Sequence, residues 1–322
     1  MSSVSHKFTA AQVGAISGGL AAAGVPTIEV GHGVGIGGSS LQYGIAAETD
    51  PTYVAAAVES AGSSDIAILY VPGISTLADL FAVQEAGATV VRVAVHCSEA
   101  DCAEQPIRAA RAAGMTVMTF LMMSHKLEPV ELAIQAGKLA SYGAQVVYVV
   151  DSAGALLPSG VAARVAALHA VTGGAIGFHA HNNLGLAIGN TLAAVDAGAT
   201  YVDGSLRGLG ASAGNAQTEV LAVALERAGH YTGVDPFALI EVAENEVVPA
   251  MTVAQVIDET ALLLGYAGVY STFFHPTKRA SAKYDVPVRD ILLELGRRGI
   301  IGGQEDVIIE VAAALARSRR WS

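Results

Sequence analysis

The sequence predicts a parallel β/α barrel followed by a helical C-terminal region, and three observations predict it. Short runs rich in β-branched residues recur every roughly 25–35 residues, with helix-length segments between them. Several of those segments end in one repeated phrase: Ala-Ala-Gly before Val25, Glu-Ala-Gly before Ala88, Ala-Ala-Gly before Met115 and Asp-Ala-Gly before Ala199. Glycine just past a helix adopts the left-handed conformation that turns the chain back into a strand. Most of the strand-like runs are nearly continuous apolar stretches, as in sheets covered on both faces.

The elements follow in order. A helix over residues 10–23 precedes the first strand-like run at 27–31. Further runs fall at 66–71, 89–95, 116–121, 145–151, 175–179 and 200–204. Together these make seven strands, one short of the eight in a closed (β/α)8 barrel of the TIM type. Because the chain opens on a helix, the strand expected to be absent is the first. A doubly wound open sheet also accommodates seven strands. Its Gly-rich phosphate loop is not evident, because no Asp or Glu is clearly placed about 20 residues beyond Gly33, Gly35, Gly37 and Gly38. After Glu219 the pattern turns helical, over 220–228, 236–247, 252–264, 287–298 and 306–315, with loops at 229–235 and 302–303. The expected division is a barrel over 1–250 and a helical domain over 251–322.

Composition narrows the function classes. Of 322 residues, 52% are hydrophobic and 15% charged, which excludes disorder and suggests apolar surface hidden between subunits. The net charge is −11, and the cations cluster only at Arg297, Arg298, Arg317, Arg319 and Arg320. That is no footprint for nucleic acid. No apolar run approaches the roughly 20 residues of a membrane span. The polar start, without a secretory signal, points to the cytoplasm. Cys97 and Cys102 flank an acidic stretch but lack a second ligand pair for zinc, so free thiols are expected.

In a parallel β/α fold, polar residues at the C-terminal strand ends converge on one face, where active sites sit. Five of the nine histidines, His32, His96, His125, His179 and His181, fall at or just after such ends. His179 and His181, one residue apart on a strand, point to the same side, so both imidazoles can reach one metal ion. The alternative is a pair of polar groups satisfied at a strand end. Neutral imidazoles with carboxylates suit Mn²⁺, Fe²⁺, Co²⁺ or Zn²⁺. His96 and His125 suit structural hydrogen bonding at the barrel rim as well as substrate contact. Tyr266 reads as packing, and Glu305 with Asp306 as a helix N-terminal pair.

The stretch His179-Ala-His-Asn-Asn-Leu-Gly-Leu-Ala-Ile-Gly-Asn190 resembles the His-x-His-Asn strand of the metal-dependent pyruvate aldolases and acyl-CoA-condensing synthases. Other segments resemble the 4-hydroxy-2-oxovalerate aldolases in particular. These are His32-Gly-x-Gly-x-Gly-Gly-Ser-Ser-x-x-Tyr-Gly44, Val91-Arg-Val-Ala-x-His-Cys-x-Glu-Ala-Asp101, Phe120-Leu-Met-Met-Ser-His125 and Asp151-Ser-Ala-Gly154. Ala213-Gly-Asn-Ala216, Leu264-Gly-Tyr-Ala-Gly-Val-Tyr-Ser271 and Gly302-Gly-Gln-Glu-Asp306 extend the likeness along the whole chain.

That resemblance implies a barrel with a helical communication domain, a divalent metal (usually Mn²⁺), and reversible cleavage of a 4-hydroxy-2-oxo acid to pyruvate and an aldehyde. It implies His179 and His181 as metal ligands, Ser152 and His179 as keto-acid contacts, and Tyr270 reaching over the site to the substrate. It also implies an acylating acetaldehyde dehydrogenase as partner, an oligomer, and a place in aromatic hydrocarbon catabolism. Acyl-CoA condensation shares His-x-His-Asn but not the segments ending at His125 and Ser271.

The family's first strand ends in Leu-Arg-Asp-Gly-x-His, supplying an enolate-stabilising Arg, a metal-ligating Asp and a His base. Aligning Val4-Ser-His-Lys-Phe-Thr9 with the segment after that motif puts Met1 and Ser2 at its last two positions. No catalytic residue is therefore assigned within the chain. One expectation is a start assigned too late, with the Arg and Asp encoded upstream and Ser2 where the base belongs. The other is an inactive paralogue acting as a partner-binding scaffold. Val34, Gln42 and Gln217 also depart from the family, where Asp, Asn and Pro are usual.

Overall fold

The computed structural model describes residues 4–41, 43–301 and 304–319; Met1, Ser2, Gln42, Gly302, Gly303 and Arg320 of the readings above lie outside them. The strands are β1 Thr27–Glu29, β2 Asp65–Tyr70, β3 Val90–His96, β4 Thr116–Met122, β5 Val146–Asp151, β6 Ala175–Ala180 and β7 Tyr201–Val202. Helix α1 (Ala10–Ala22) precedes β1. Helices α2 (Asp50–Ser60), α3 (Leu77–Glu85), α4 (Glu104–Ala112), α5 (Pro129–Tyr142), α6 (Pro158–Thr172) and α7 (Ala187–Asp196) follow the first six strands. Beyond β7 come α8 (Thr218–Arg227), α9 (Pro236–Val242), α10 (Glu259–Ala267), α11 (Phe274–Tyr284), α12 (Val288–Arg297) and α13 (Val307–Arg319).

All seven strands form one parallel sheet in sequence order, each beside its chain neighbours. Alternate residues build two different layers. Val91, Val93, Val117, Leu121, Val147, Val149, Ile176 and Phe178 face outward into the main core under the helices. Val90, Ala94, Met118, Phe120, Val146, Tyr148 and Val150 fill the barrel interior. Gly177 belongs to that inner row, where a Cβ would lie 2.5 Å from the Tyr148 ring. A glycine there lets the ring lie across the barrel.

The sheet is curled. Arg92 on β3 bonds Glu29 on β1 and also Asp203 just past β7, four strands away. A flat sheet would hold those groups about 4.8 Å apart per strand step, so only curling brings β7 round to Arg92. Among the described residues, β1 pairs with β2 alone and β7 with β6 alone, which leaves the barrel open between them.

The C-terminal helices enclose a core of their own, from Leu264, Val269, Phe273, Ile291, Leu292, Leu295, Ile308 and Val311. Three expectations change here. Residues 252–258 are not helical: the helix starts only at Glu259, where Asp258 caps it by accepting the Ala261 N–H at 2.8 Å. The preceding Val253, Val256 and Ile257 are β-branched and weak helix formers. Helix α11, which the sequence reading lacked, is mostly polar on its surface and buries only Thr277 and Ala280. Tyr266 is 77% exposed rather than packed, because Ala261, Leu264 and Gly265 occupy the buried side of α10. Residues 236–247 are helical as expected, but the last turn, Ala243–Val247, widens to π geometry. Among the described residues no helix is long and apolar enough to cross a membrane.

Candidate active site at the ends of β4, β5 and β6

Three loops close over the C-terminal ends of β4, β5 and β6, and hydrogen bonds tie each to the next. Ser152, just past β5, accepts the Met123 N–H at 2.9 Å. Asn183, past β6, donates to the Ala153 carbonyl at 2.9 Å and accepts from Ala213 N at 3.2 Å. Asp151 ends β5 buried, and its carboxylate accepts the N–H groups of Ala155 and Leu156 at 2.9 and 3.1 Å. Burial raises its pKa to about 6 against those two bonds. Asp151 therefore organises its own loop. Gly154 has φ +57°, and a Cβ there would come within 2.7 Å of the Asn183 nitrogen. A side chain would force the β5 and β6 loops apart.

His179 and His181 stand on the inner side of this seam. Their ring centroids are 5.3 Å apart. The register pairs Val150 with His179 and Asp151 with Ala180, so Ser152 sits at the level of His181. His179 Nδ1 lies 2.8 Å from an Asp203 oxygen. Burial, and then the charges of His181 and Arg92, hold the His179 pKa well below the usual imidazole value. The ring is therefore neutral and donates Nδ1–H to the carboxylate, which leaves the lone pair on Nε2. Burial lowers the His181 pKa to about 4, so this ring is neutral as well. Its Nδ1 is buried and has no hydrogen-bond partner among the described residues.

Arg92 anchors the group from beneath. One terminal nitrogen donates to Glu29 at 2.7 Å and the other pairs with Asp203. Its guanidinium lies 4.2 Å from the centroid of the Phe120 ring, which stacks on Tyr148. With both terminal nitrogens engaged by carboxylates, Arg92 serves to hold Asp203 against His179. Its Nε is buried and has no hydrogen-bond partner among the described residues.

Tyr270 comes from the helical region and contacts this rim: its hydroxyl lies 3.2 Å from the Met122 sulfur at the end of β4. His125 bonds the Gly268 carbonyl through Nε2 at 3.1 Å. His96 pairs with Ser98 at 2.7 Å. His32 is buried, stacks on His6 and reaches the Gly44 carbonyl at 3.1 Å. Cys97 and Cys102 are free thiols; burial pushes Cys97 up to about 12, which makes it inert.

Two neutral imidazoles suit a divalent metal, and His179 carries the carboxylate partner that typically orients a metal-ligating histidine. The orphaned His181 Nδ1 also points to a partner outside the protein. Among the described residues, no group of three or more His, Cys, Asp or Glu side chains surrounds one point. The residues present thus fit two ligand positions.

Asp203 closes the strand-like run at 200–204 at the end where active sites sit, but the sequence reading gave it no role, and it missed Arg92 and Glu29 as parts of the site. A signal existed for Arg92, since a lone charge within Val90-Val-Arg-Val-Ala-Val95 breaks a strand otherwise apolar on both faces.

An HMGL-like family model matches residues 2–245, and a DmpG-like communication domain matches residues 255–317. The chain is 68% identical to 4-hydroxy-2-oxovalerate aldolase 2 of Nocardia farcinica over 98% of its length and 91% of that protein. It is 66% identical to 4-hydroxy-2-oxovalerate aldolase 2 of Rhodococcus jostii, over 98% and 92%. The carboxyl transferase domain of Rhizobium etli pyruvate carboxylase shares the fold, with a TM-score of 0.77 at 17% identity, over 98% of this chain and 58% of that one.

Proposed function

The chain belongs to the 4-hydroxy-2-oxovalerate aldolase family, and from that premise we propose that it cleaves 4-hydroxy-2-oxopentanoate, or a close homologue, to pyruvate and acetaldehyde or a longer aldehyde. The observation that carries this reading is the neutral pair His179 and His181, with His179 fixed by Asp203 so that Nε2 faces away from the carboxylate.

A divalent metal, Mn²⁺ or another of its class, would be held by His179 and His181. When bound, it supplies Lewis-acid stabilisation of the negative charge that develops on the keto acid. The chain's own residues bind and orient. Ser152 Oγ accepts from Met123 N, so its own hydrogen is free to donate to an oxygen of the keto acid. His179 would contact the same keto acid. Tyr270, its hydroxyl beside Met122 at the end of β4, would reach the substrate from the helical region. In the cleavage the 4-hydroxyl proton goes to a base, the C3–C4 bond breaks, and its electron pair passes to the pyruvate enolate. Protonation at C3 completes pyruvate. The base and the enolate-stabilising Arg are not assigned to residues of this chain.

The barrel over 1–250 carries the reaction and the helical domain over 251–322 serves communication. The DmpG-like match supports docking to an acylating acetaldehyde dehydrogenase, which takes up the aldehyde. An oligomeric, cytoplasmic enzyme fits the composition. The absence of a three-residue ligand cluster among the described residues keeps a second reading in play, that of a partner-binding scaffold without turnover.

One experiment separates the two. Pyruvate release from 4-hydroxy-2-oxopentanoate is followed through lactate dehydrogenase, with and without Mn²⁺, on the 322-residue chain and on the same chain carrying a family-like first strand. Metal-dependent release by either form supports the aldolase. Silence in both, with dehydrogenase binding retained, supports the scaffold.

A further inference from the structure

Two of the segments that single out this family branch, ending at His125 and Ser271, are far apart in the sequence, with 143 positions between His125 and Gly268. The fold brings them into contact at two points. The Tyr270 hydroxyl meets the Met122 sulfur, and the Gly268 carbonyl meets His125 Nε2. Gly268 ends α10 in the left-handed region, at φ +60°, and its N–H returns to Leu264 and Gly265. A Cβ on Gly268 would lie 2.9 Å from His125 Nε2, and one on Gly265 would lie 3.0 Å from Leu184, in the loop after His181. The turn is therefore pressed onto the barrel rim on both sides.

His125 is built to hold that turn. A carbonyl only accepts, so Nε2 must carry the proton and Nδ1 the lone pair. That Nδ1 is buried and has no hydrogen-bond partner among the described residues, so the ring's one protein hydrogen bond there is the one to Gly268. Burial lowers the pKa to about 4, which keeps the ring neutral and in this tautomer at working pH.

We propose that His125 is the positioning residue for Tyr270: its Nε2–H bond to the Gly268 carbonyl fixes the turn that brings the Tyr270 hydroxyl over the end of β4. It touches no reacting atom. The consequence for turnover rests on the substrate role of Tyr270 given above, whereas the positioning itself does not.

The test places 3-fluorotyrosine at position 270 in the full chain and compares the parent with His125→Leu and His125→Gln by ¹⁹F NMR. Leu fills similar space without a donor, and Gln restores an N–H near Nε2. The expected result is one narrow resonance in the parent and in His125→Gln, and a shifted or broadened one in His125→Leu. Activity adds a second arm. His125→Leu lowers kcat/KM about 10-fold in the parent background and less than about 2-fold in Tyr270→Phe, since both changes remove one function. An unmoved resonance in His125→Leu overturns the proposal, as does a shift that Gln fails to reverse. A moved resonance with Tyr270→Phe as active as the parent upholds the positioning role and sinks the substrate role of Tyr270.

Discussion

β4 and β6 each deliver a half-buried, neutral histidine to the same rim, and the two do opposite things. His179, on β6, gives its Nδ1 hydrogen to a carboxylate that Arg92 holds in place, so its Nε2 lone pair is left for a ligand. His125, past β4, gives its Nε2 hydrogen to a backbone carbonyl of another domain, and its remaining lone pair meets no donor among the described residues. Both have lowered pKa values, and in both burial is the leading cause. A shifted pKa therefore does not distinguish the binding residue from the bracing one. What stands beside each ring does: the His179 ring lies 5.3 Å, centroid to centroid, from a second imidazole, whereas His125 holds the Gly268 turn.

The comparison breaks most visibly at the imidazole pair. His181→Ala should reduce pyruvate release about 1000-fold or more, on the several kcal/mol that a metal's charge stabilisation contributes. The thermal midpoint should move little. A small loss of activity would mean that His181 is a satisfied strand-end residue.

Next is the ion-pair frame beneath. Arg92 is 11% exposed, and Arg92→Met leaves Glu29 and Asp203 facing one another without a cation. Removing one partner of a fully buried pair costs roughly 3–5 kcal/mol. With Glu29 34% and Asp203 20% exposed, about 2–3 kcal/mol is expected, read from urea unfolding at fixed pH.

The bracing histidine should report itself in acid. Above pH 6.5 the His125 ring is neutral folded or unfolded and contributes no pH dependence. As pH falls from 6.5 toward about 4, the unfolded chain takes up a proton that the folded site refuses, so stability is lost. The limit is about 3 kcal/mol, from roughly 1.4 kcal/mol per pKa unit. His125→Gln should flatten the stability profile in that window, and an unchanged slope would show the ring already charged in the folded state.

The subtlest change sharpens the contrast. Asp203→Asn keeps the shape but lets the amide offer an N–H toward His179, loosening its tautomer. Mn²⁺ affinity should fall about 10–100-fold, as for other second-sphere partners, with little loss of fold. The same substitution should leave the Tyr270 turn untouched.

Much of this was legible beforehand because it rests on local pattern. Strand positions followed from β-branched runs and the Gly phrases, and the His179 and His181 pair from period-two spacing at a strand end. The cross-barrel links were not legible. Arg92 and Glu29 lie on two different strands and Asp203 just past a third, and only curling of the sheet makes them neighbours. The link from His125 to Gly268 depends on how the helical region docks, which no single segment encodes. Residues 252–258 were misread for a related reason. Their apolar spacing looks helical, while β-branching and the Asp258 cap delay the helix to Glu259.

The central claim is that His179 and His181 hold the metal, and a Mn²⁺ titration followed by electron paramagnetic resonance tests it directly. With pyruvate present, the parent chain should bind one Mn²⁺ saturably, and the His179→Ala, His181→Ala double variant should leave the free-ion signal unchanged. Equal binding by both, or none by the parent, would contradict the account.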